Sequence, residues 1–376
     1  MDHSAPSVAN QETWKTRAFA YYERHELKLS LAFFLGGFVF DVLTLSDIDD
    51  PYSIAQQFAY LLGIGLILLY DLVRGEEATL EFGPAVLKRA WGYRRLGLHF
   101  LLGSLFSIYS LFFLKSASFF SSILFVGILL VIMVGNELEA VQKRGVDSKI
   151  ALFVICLFCF FSMVFPVLLG HVGWVPFLLS MGATVGFVLA MYYGLKGRVG
   201  TIILNRRLLR PGLGMAGLFF VLYIFGFIPP VPLVAMKVGI YHQVEKKDGA
   251  YLLSHERPWW KFWQSGDQDF LAAPGDRVNF FVSVFSPARF DDQVYLVWSW
   301  KDPRMGWSGT DRIPMRVTGG RQGGYRGTAT KANFTEGEWR ISVETNDRRE
   351  IGRLYFDVTK ATAPAAAERV FTVETY

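Results

Sequence analysis

Two periods run along this chain, and they change over near residue 230. Before it, apolar residues fill long unbroken runs; after it, they alternate with polar ones. A helix that crosses hydrocarbon needs about 20 apolar residues, and the runs predict seven such spans, at 28–46, 53–73, 97–114, 117–136, 150–170, 174–195 and 212–230. The first follows a polar stretch of mixed charge and has no small-residue cleavage site after it, so it is expected to be kept as a helix. Gly182, Gly186, Ala190 and Gly194 recur every four residues, a stripe expected to let helix backbones approach closely. In the N-terminal arm, Trp14, Ala18, Tyr21, His25 and Leu29 keep the spacing of an interfacial helix.

The segment FIPPVP at 227–232 ends the last helix, because proline neither donates to nor fits inside one. Period 2 then takes over. Val278, Phe280, Val282 and Val284 share one face of a strand, as do Val294, Leu296, Trp298 and Trp300, and then Trp339, Ile341 and Val343. A run at Val234–Val244 and weaker segments near 249–254, 311–318, 324–331 and 351–358 bring the total to seven or eight strands. The expected fold class is therefore an α-helical polytopic membrane domain of about seven transmembrane helices, followed by a C-terminal all-β, Ig-like antiparallel sandwich. The expected domains are an N-terminal arm at 1–27, the helical domain at 28–230, the sandwich at 231–360 and a loose, alanine-rich tail at 361–376.

Charge follows the same division. The first 239 residues hold 34 charged side chains and the last 137 hold 37, so charge density roughly doubles. Basic residues collect in alternate connections. Three lie in the N-terminal arm, five between Arg74 and Arg95, three between Lys143 and Lys149, and five between Lys196 and Arg210; the other loops contribute Lys115 alone. By the positive-inside rule this asymmetry predicts a cytoplasmic N-terminus, seven crossings and an external, periplasmic sandwich in a bacterial inner membrane. The net charge of +5 reports loop asymmetry and predicts no nucleic-acid partner.

The segments VYLVWSW, VTGGRQGGYRGTATK and GEWRISVETNDRREIGRLYFDV, between Val294 and Val358, resemble the C-terminal region of a bacterial membrane-protein family carrying domain of unknown function 2914. The run GGFVFDVLTLSDIDD at 36–50 is similar to the first span of its membrane-bound members. The resemblance implies no reaction, ligand or cofactor.

Four groups of residues carry candidate chemistry. Asp41 lies inside an expected span, where an ionisable group is costly; with Thr44, Asp47, Asp49 and Asp50 it offers an oxygen-lined external mouth, or else helix-end carboxylates with local partners. Trp259, Trp260, Phe262 and Trp263, with Arg257 and Lys261, form RPWWKFW, expected to lie on the membrane interface, to offer an aromatic platform for sugars, or to pack into the sandwich. The glycine-rich turn around Arg321, Tyr325 and Arg326 can cradle an anion or simply close a hairpin. Cys156 and Cys159 are expected to be buried packing residues, since apolar surroundings keep a thiol inert. No zinc, nucleophile-elbow, P-loop or dinucleotide motif occurs, so no metal, cofactor or catalytic residue is expected. The functional expectation is a non-enzymatic membrane protein whose sandwich binds an envelope protein or glycan, with membrane lipids around its helices. The alternative is a transporter or lipid-handling protein using Asp41 and the acidic mouth. The sequence sets no oligomeric state.

Overall fold

The computed structural model describes residues 48–80, 83–92, 94–116, 123–136, 145–287, 290–318, 324–361 and 369–376. Its helices are α1 (Pro51–Arg74), α2 (Ala85–Gly92), α3 (Arg94–Ser116), α4 (Ile123–Asn136), α5 (Val146–Leu169), α6 (Trp174–Leu195) and α7 (Thr201–Ile224). Five of them, α1, α3, α5, α6 and α7, are long and apolar enough to cross a membrane. Five of the seven expected spans are thus present among the described residues. The span at 28–46 lies outside them, and within 117–136 only the 14 residues of α4 are helical and described. The last span also begins earlier than expected: α7 starts at Thr201 and carries Arg206, Arg207 and Arg210, expected in a loop, the first two within a π-helical turn at Asn205–Leu209 and Arg210 just after it.

α5 is the central helix and packs against α1, α3, α6 and α7. Phenylalanine fills the contacts. Phe158 stacks on Phe219 of α7 at 4.1 Å, and Phe153 meets Phe187 of α6 edge-on at 5.8 Å. Such offset and edge-to-face pairs are the preferred aromatic geometries. Cys156 and Cys159 are buried in this packing and unbridged, as expected. The glycine stripe of α6 does not take part: among the described residues, a Cβ added at Gly182, Gly186 or Gly194 would meet nothing within 4 Å. The close approach is made at Gly212, where a Cβ would lie 2.9 Å from Val188.

The bundle has two chemically distinct ends. At one, Arg94 Nε donates to buried Asp71 at 3.0 Å, and its Nη2 donates to the Glu76 carbonyl at 2.6 Å. Glu76 accepts from Lys149 Nζ at 2.7 Å and from the Val146 N–H at 3.0 Å, which caps α5. Arg207 faces Asp147 at 3.8 Å on the same end. At the other end, α5 closes on Gly170 in the left-handed conformation, whose N–H returns to the Pro166 carbonyl at 2.8 Å. This end carries the β domain.

Eleven strands are described: β1 (Val234–Tyr241), β2 (Gln243–Lys247), β3 (Ala250–His255), β4 (Asp269–Ala272), β5 (Val278–Phe285), β6 (Asp291–Asp302), β7 (Gly306–Thr318), β8 (Tyr325–Lys331), β9 (Gly337–Glu344), β10 (Glu350–Lys360) and β11 (Thr372–Thr375). They form sheets of order β4-β10-β9-β6-β7, β1-β5-β8 and β11-β3-β2. The alternating residues read from the sequence fill the core between the first two, with Phe280, Val282, Leu296, Trp298, Ile341 and Phe356 all buried. Two features depart from a two-layer antiparallel sandwich. β4 pairs with β10 in parallel, and the third sheet covers the outer face of β5, burying Phe281 under Leu253 and Tyr251. That second cover explains why β5 reads as a nearly continuous apolar run. The tail, expected to be loose, is ordered at its end: β11 pairs antiparallel with β3, and Tyr376 exchanges backbone hydrogen bonds with Tyr251. Residues 362–368 lie outside the described residues.

Two clasps join the β domain to the helices on either side of the proline-rich linker. On one side the Asp291 N–H donates to the Gly170 carbonyl at 2.9 Å, and the Val172 N–H donates to Asp292 at 3.0 Å. On the other, buried Arg349 from the β9–β10 turn donates to the carbonyls of Tyr223 at 2.7 Å and Ile228 at 3.1 Å. Its guanidinium also lies 3.3 Å from the centre of the Tyr223 ring and is neutralised by Asp347 at 2.9 Å. A cation thus meets the negative end of α7.

Candidate functional site

The end of the β domain opposite the helices gathers the candidate chemistry. β1 leaves the bundle at Val234 and bridges Gly266 through Ile240; β10 leaves Arg349 and pairs Asp357 with Asp269. At about 3.3 Å per residue, both strands place residues 256–269 roughly 20 Å beyond the bundle.

The loop there is held firmly. Buried Asp267, 3% exposed, accepts from the Glu256 N–H at 3.0 Å, and its own N–H donates to the Ile240 carbonyl at 2.7 Å. Burial pushes the Asp267 carboxyl up to about 7, against the Glu256 and Arg257 N–H donors. Gly266 has φ +71°, and a Cβ there would sit 2.0 Å from the Ile240 oxygen, so no other residue fits. Gln264 donates to Asp269 at 3.0 Å, and Gln268 reaches the Tyr355 carbonyl at 2.7 Å.

On this support RPWWKFW projects outward. Trp259 is 90% exposed and Phe262 81%, with Trp260 and Trp263 at least half exposed. That overturns packing into the sandwich for these four rings. Trp260 and Trp263 lie 5.8 Å apart, Phe262 and Trp263 5.2 Å apart, and Lys261 stands 5.3 Å from the centre of the Trp260 ring while donating to Asp269 at 2.6 Å. Asp269 begins a groove of about 820 Å³ that runs past Lys301, Asp302, Glu336, Glu338 and Asp357. Lys301 holds Glu338 at 2.7 Å, and Asp302 accepts the N–H groups of Arg304 and Met305 at 2.7 and 2.9 Å. Asp357 has no ion pair among the described residues; burial, Glu338 and Asp269 raise its carboxyl above the ordinary value. The groove therefore offers oxygen acceptors beside a row of bare aromatic faces.

The other candidates are placed differently. Asp41, Thr44, Asp47 and Arg321 lie outside the described residues. Asp50 caps α1, accepting from the Ser53 N–H at 3.1 Å, with half-buried Asp49 before it. Arg326 donates to the carbonyls of Gly249 at 3.3 Å and Tyr376 at 3.2 Å, so it fastens the C-terminal strand, while Tyr325 packs against the sandwich core. These residues do not converge with the aromatic platform.

A second cluster escaped the sequence reading. Around the His242 side chain, 5% exposed, stand Glu256 at 3.5 Å, Asp267 at 3.7 Å and Asp276 at 3.6 Å, with Arg369 bridging Asp276 at 2.7 Å and Glu256 at 3.2 Å. The imidazole stacks on Phe270 at 4.2 Å, and burial with the Arg369 charge pushes it down to about 4. It is neutral, and the carboxylate approaches are not ion pairs. No local motif announces this group, because its members come from five separate segments.

Comparison with known proteins adds no activity to this geometry. No curated protein matches the chain. Among solved structures, an immunoglobulin-like protein from Pseudomonas aeruginosa is 14% identical, with 32% of this chain and 96% of that one covered, at a TM-score of 0.19. A β-glucosidase from intestinal bacteria is 13% identical over 35% of this chain and 17% of its own, at 0.21. An alkylpurine DNA glycosylase from Pseudomonas fluorescens is 9% identical over 85% and 100%, at 0.20. Scores this low carry no argument about this chain. The family model described as "Protein of unknown function (DUF2914)" matches residues 291–358, from β6 into β10. This span supplies Arg349 of the clasp and Lys301, Glu338 and Asp357 of the groove, whereas the aromatic loop lies before it. The C-terminal region thus carries, over residues 291–358, the DUF2914 domain of unknown function that its own strands and turns resemble.

Proposed function

We propose that the chain is a non-enzymatic binding protein of the bacterial inner membrane, with its N-terminus in the cytoplasm and its β domain in the periplasm, where it holds a glycan-bearing envelope ligand. One observation carries the reading: four exposed aromatic rings adjoin a carboxylate-lined groove at the end of the domain farthest from the helices. Sugar rings present flat C–H faces to indoles and hydroxyl donors to carboxylates, and an aromatic surface with a few placed acceptors is the usual make-up of a binding site. Standing roughly 20 Å from the bundle by strand length, the rings favour a platform over contact with the same bilayer. The orientation is supported by the arrangement of Arg94, Lys149 and Arg207 at the bundle end opposite the β domain. The non-enzymatic reading is supported by the closure of the His242 cluster under Arg369 and Phe371, which leaves its imidazole little exposed.

The test is a titration of the full chain in nanodiscs with soluble cell-wall oligosaccharides, followed by tryptophan fluorescence. Trp260→Ala and Trp263→Ala should each weaken binding roughly tenfold, about 1.4 kcal/mol. Unchanged affinity in both variants, or no response in the parent protein, would sink the proposal.

A further inference from the structure

A separate hollow lies at the joint between helices and β domain. It has a volume of about 250 Å³ and is lined by Ile48, Phe112, Pro232, Val234, Met236 and Phe285, with Lys115 and Ser116 at the end of α3. Its wall is apolar apart from those last two residues. Lys115 is exposed and has no carboxylate partner among the described residues, and it is the one Lys or Arg in the connections on this side of the bundle. A lysine at a helix end reaches for headgroups wherever it stands. This one differs in having an apolar hollow beside it, open where a membrane-crossing α3 ends and acyl chains meet headgroups. Met236, half exposed at the rim, is a flexible side chain suited to an irregular occupant.

We propose that this hollow is a specific site for one anionic phospholipid of the leaflet on the β-domain side, its acyl chain between Phe112, Met236 and Phe285 and its phosphate on Lys115. The site uses residues of both parts of the chain, so the lipid would seal the joint from the side. It depends on membrane insertion and is independent of the glycan platform.

The full chain, reconstituted with equal phosphatidylglycerol and phosphatidylcholine, is released into detergent and its retained lipid counted by native mass spectrometry. One phosphatidylglycerol per chain is expected, undisplaced by inorganic phosphate. Lys115→Gln should lower the preference for phosphatidylglycerol about tenfold, the effect of one charge-assisted contact, whereas Lys196→Gln at the far end should leave it unchanged. Met236→Trp, which fills the hollow, should lose the lipid altogether. Should that variant misfold, a phosphatidylglycerol with a photoreactive acyl chain is expected to cross-link the parent protein at Phe112, Met236 or Phe285. Retained preference in Lys115→Gln, or cross-links confined to other residues, would overturn the site. Failure of the parent chain to enter bilayers at all would instead overturn the membrane reading.

Discussion

At the scale of single residues, His242 and Asp267 make opposite demands on pH. The folded imidazole titrates near 4, below its ordinary 6.5, so an unfolded chain takes the proton first. Its contribution is complete above 6.5 and is lost as pH falls towards 4, by up to ~3 kcal/mol. Asp267, raised from 3.8 to about 7, holds its proton more tightly when folded. Its contribution is complete below 3.8 and is lost as pH rises through 7. The two slopes offset each other across their shared window. Thermal unfolding from pH 4 to 7 should therefore be nearly flat in the parent protein, fall towards acid in Asp267→Asn, and fall towards neutral pH in His242→Phe. Parallel profiles in all three would refute the assignment. Gly266→Ala, forced to φ +71° against the Ile240 oxygen, should cost about 2 kcal/mol or more in denaturant unfolding and loosen the aromatic loop with it.

Between elements, the clasp at Arg349 is the contact whose removal should be felt farthest. Arg349→Met keeps an apolar stem but leaves the Tyr223 and Ile228 carbonyls and Asp347 without their cation. The expected loss is about 3 kcal/mol, as for one partner of a buried charged network. It should appear as faster proteolysis near 227–233 at unchanged helix content. Arg349→Lys should rescue only in part, because an ammonium cannot serve two carbonyls and a ring in one plane. Element type was legible in the sequence wherever periodicity was strong, as in β5, β6, β9, α5 and α6. Periodicity carries no information about what covers an element. The third sheet over Phe281 and the ordered β11 depend on pairing between distant segments, and the early start of α7 depends on a helix continuing through arginines that resemble a loop. The aromatic loop was legible as RPWWKFW; the groove beside it was not, since Asp269, Glu338 and Asp357 meet only through β10's parallel and antiparallel neighbours.

Over the whole molecule, charge asymmetry and architecture tell one story. The ends of α1 and α6 and the starts of α3, α5 and α7 lie away from the β domain, and the basic connections go with them. Single cysteines placed at Arg198 and at Trp259, with Cys156 and Cys159 changed to Ala, give a direct check in intact spheroplasts. A membrane-impermeant maleimide should label position 259 at once and position 198 only after lysis. The reverse pattern would invert the orientation and every external partner inferred from it.

The paired clasps on either side of the proline linker have a consequence for reach. A domain hung from a single flexible tether sweeps a hemisphere and meets targets at any height below its length. Here the Gly170–Asp291 and Tyr223–Arg349 contacts hold two sides of the base, so rotation about the linker is blocked. The β domain then behaves as a fixed post: its tip stands at one altitude over the helices, and a surface nearer or farther than that altitude goes untouched.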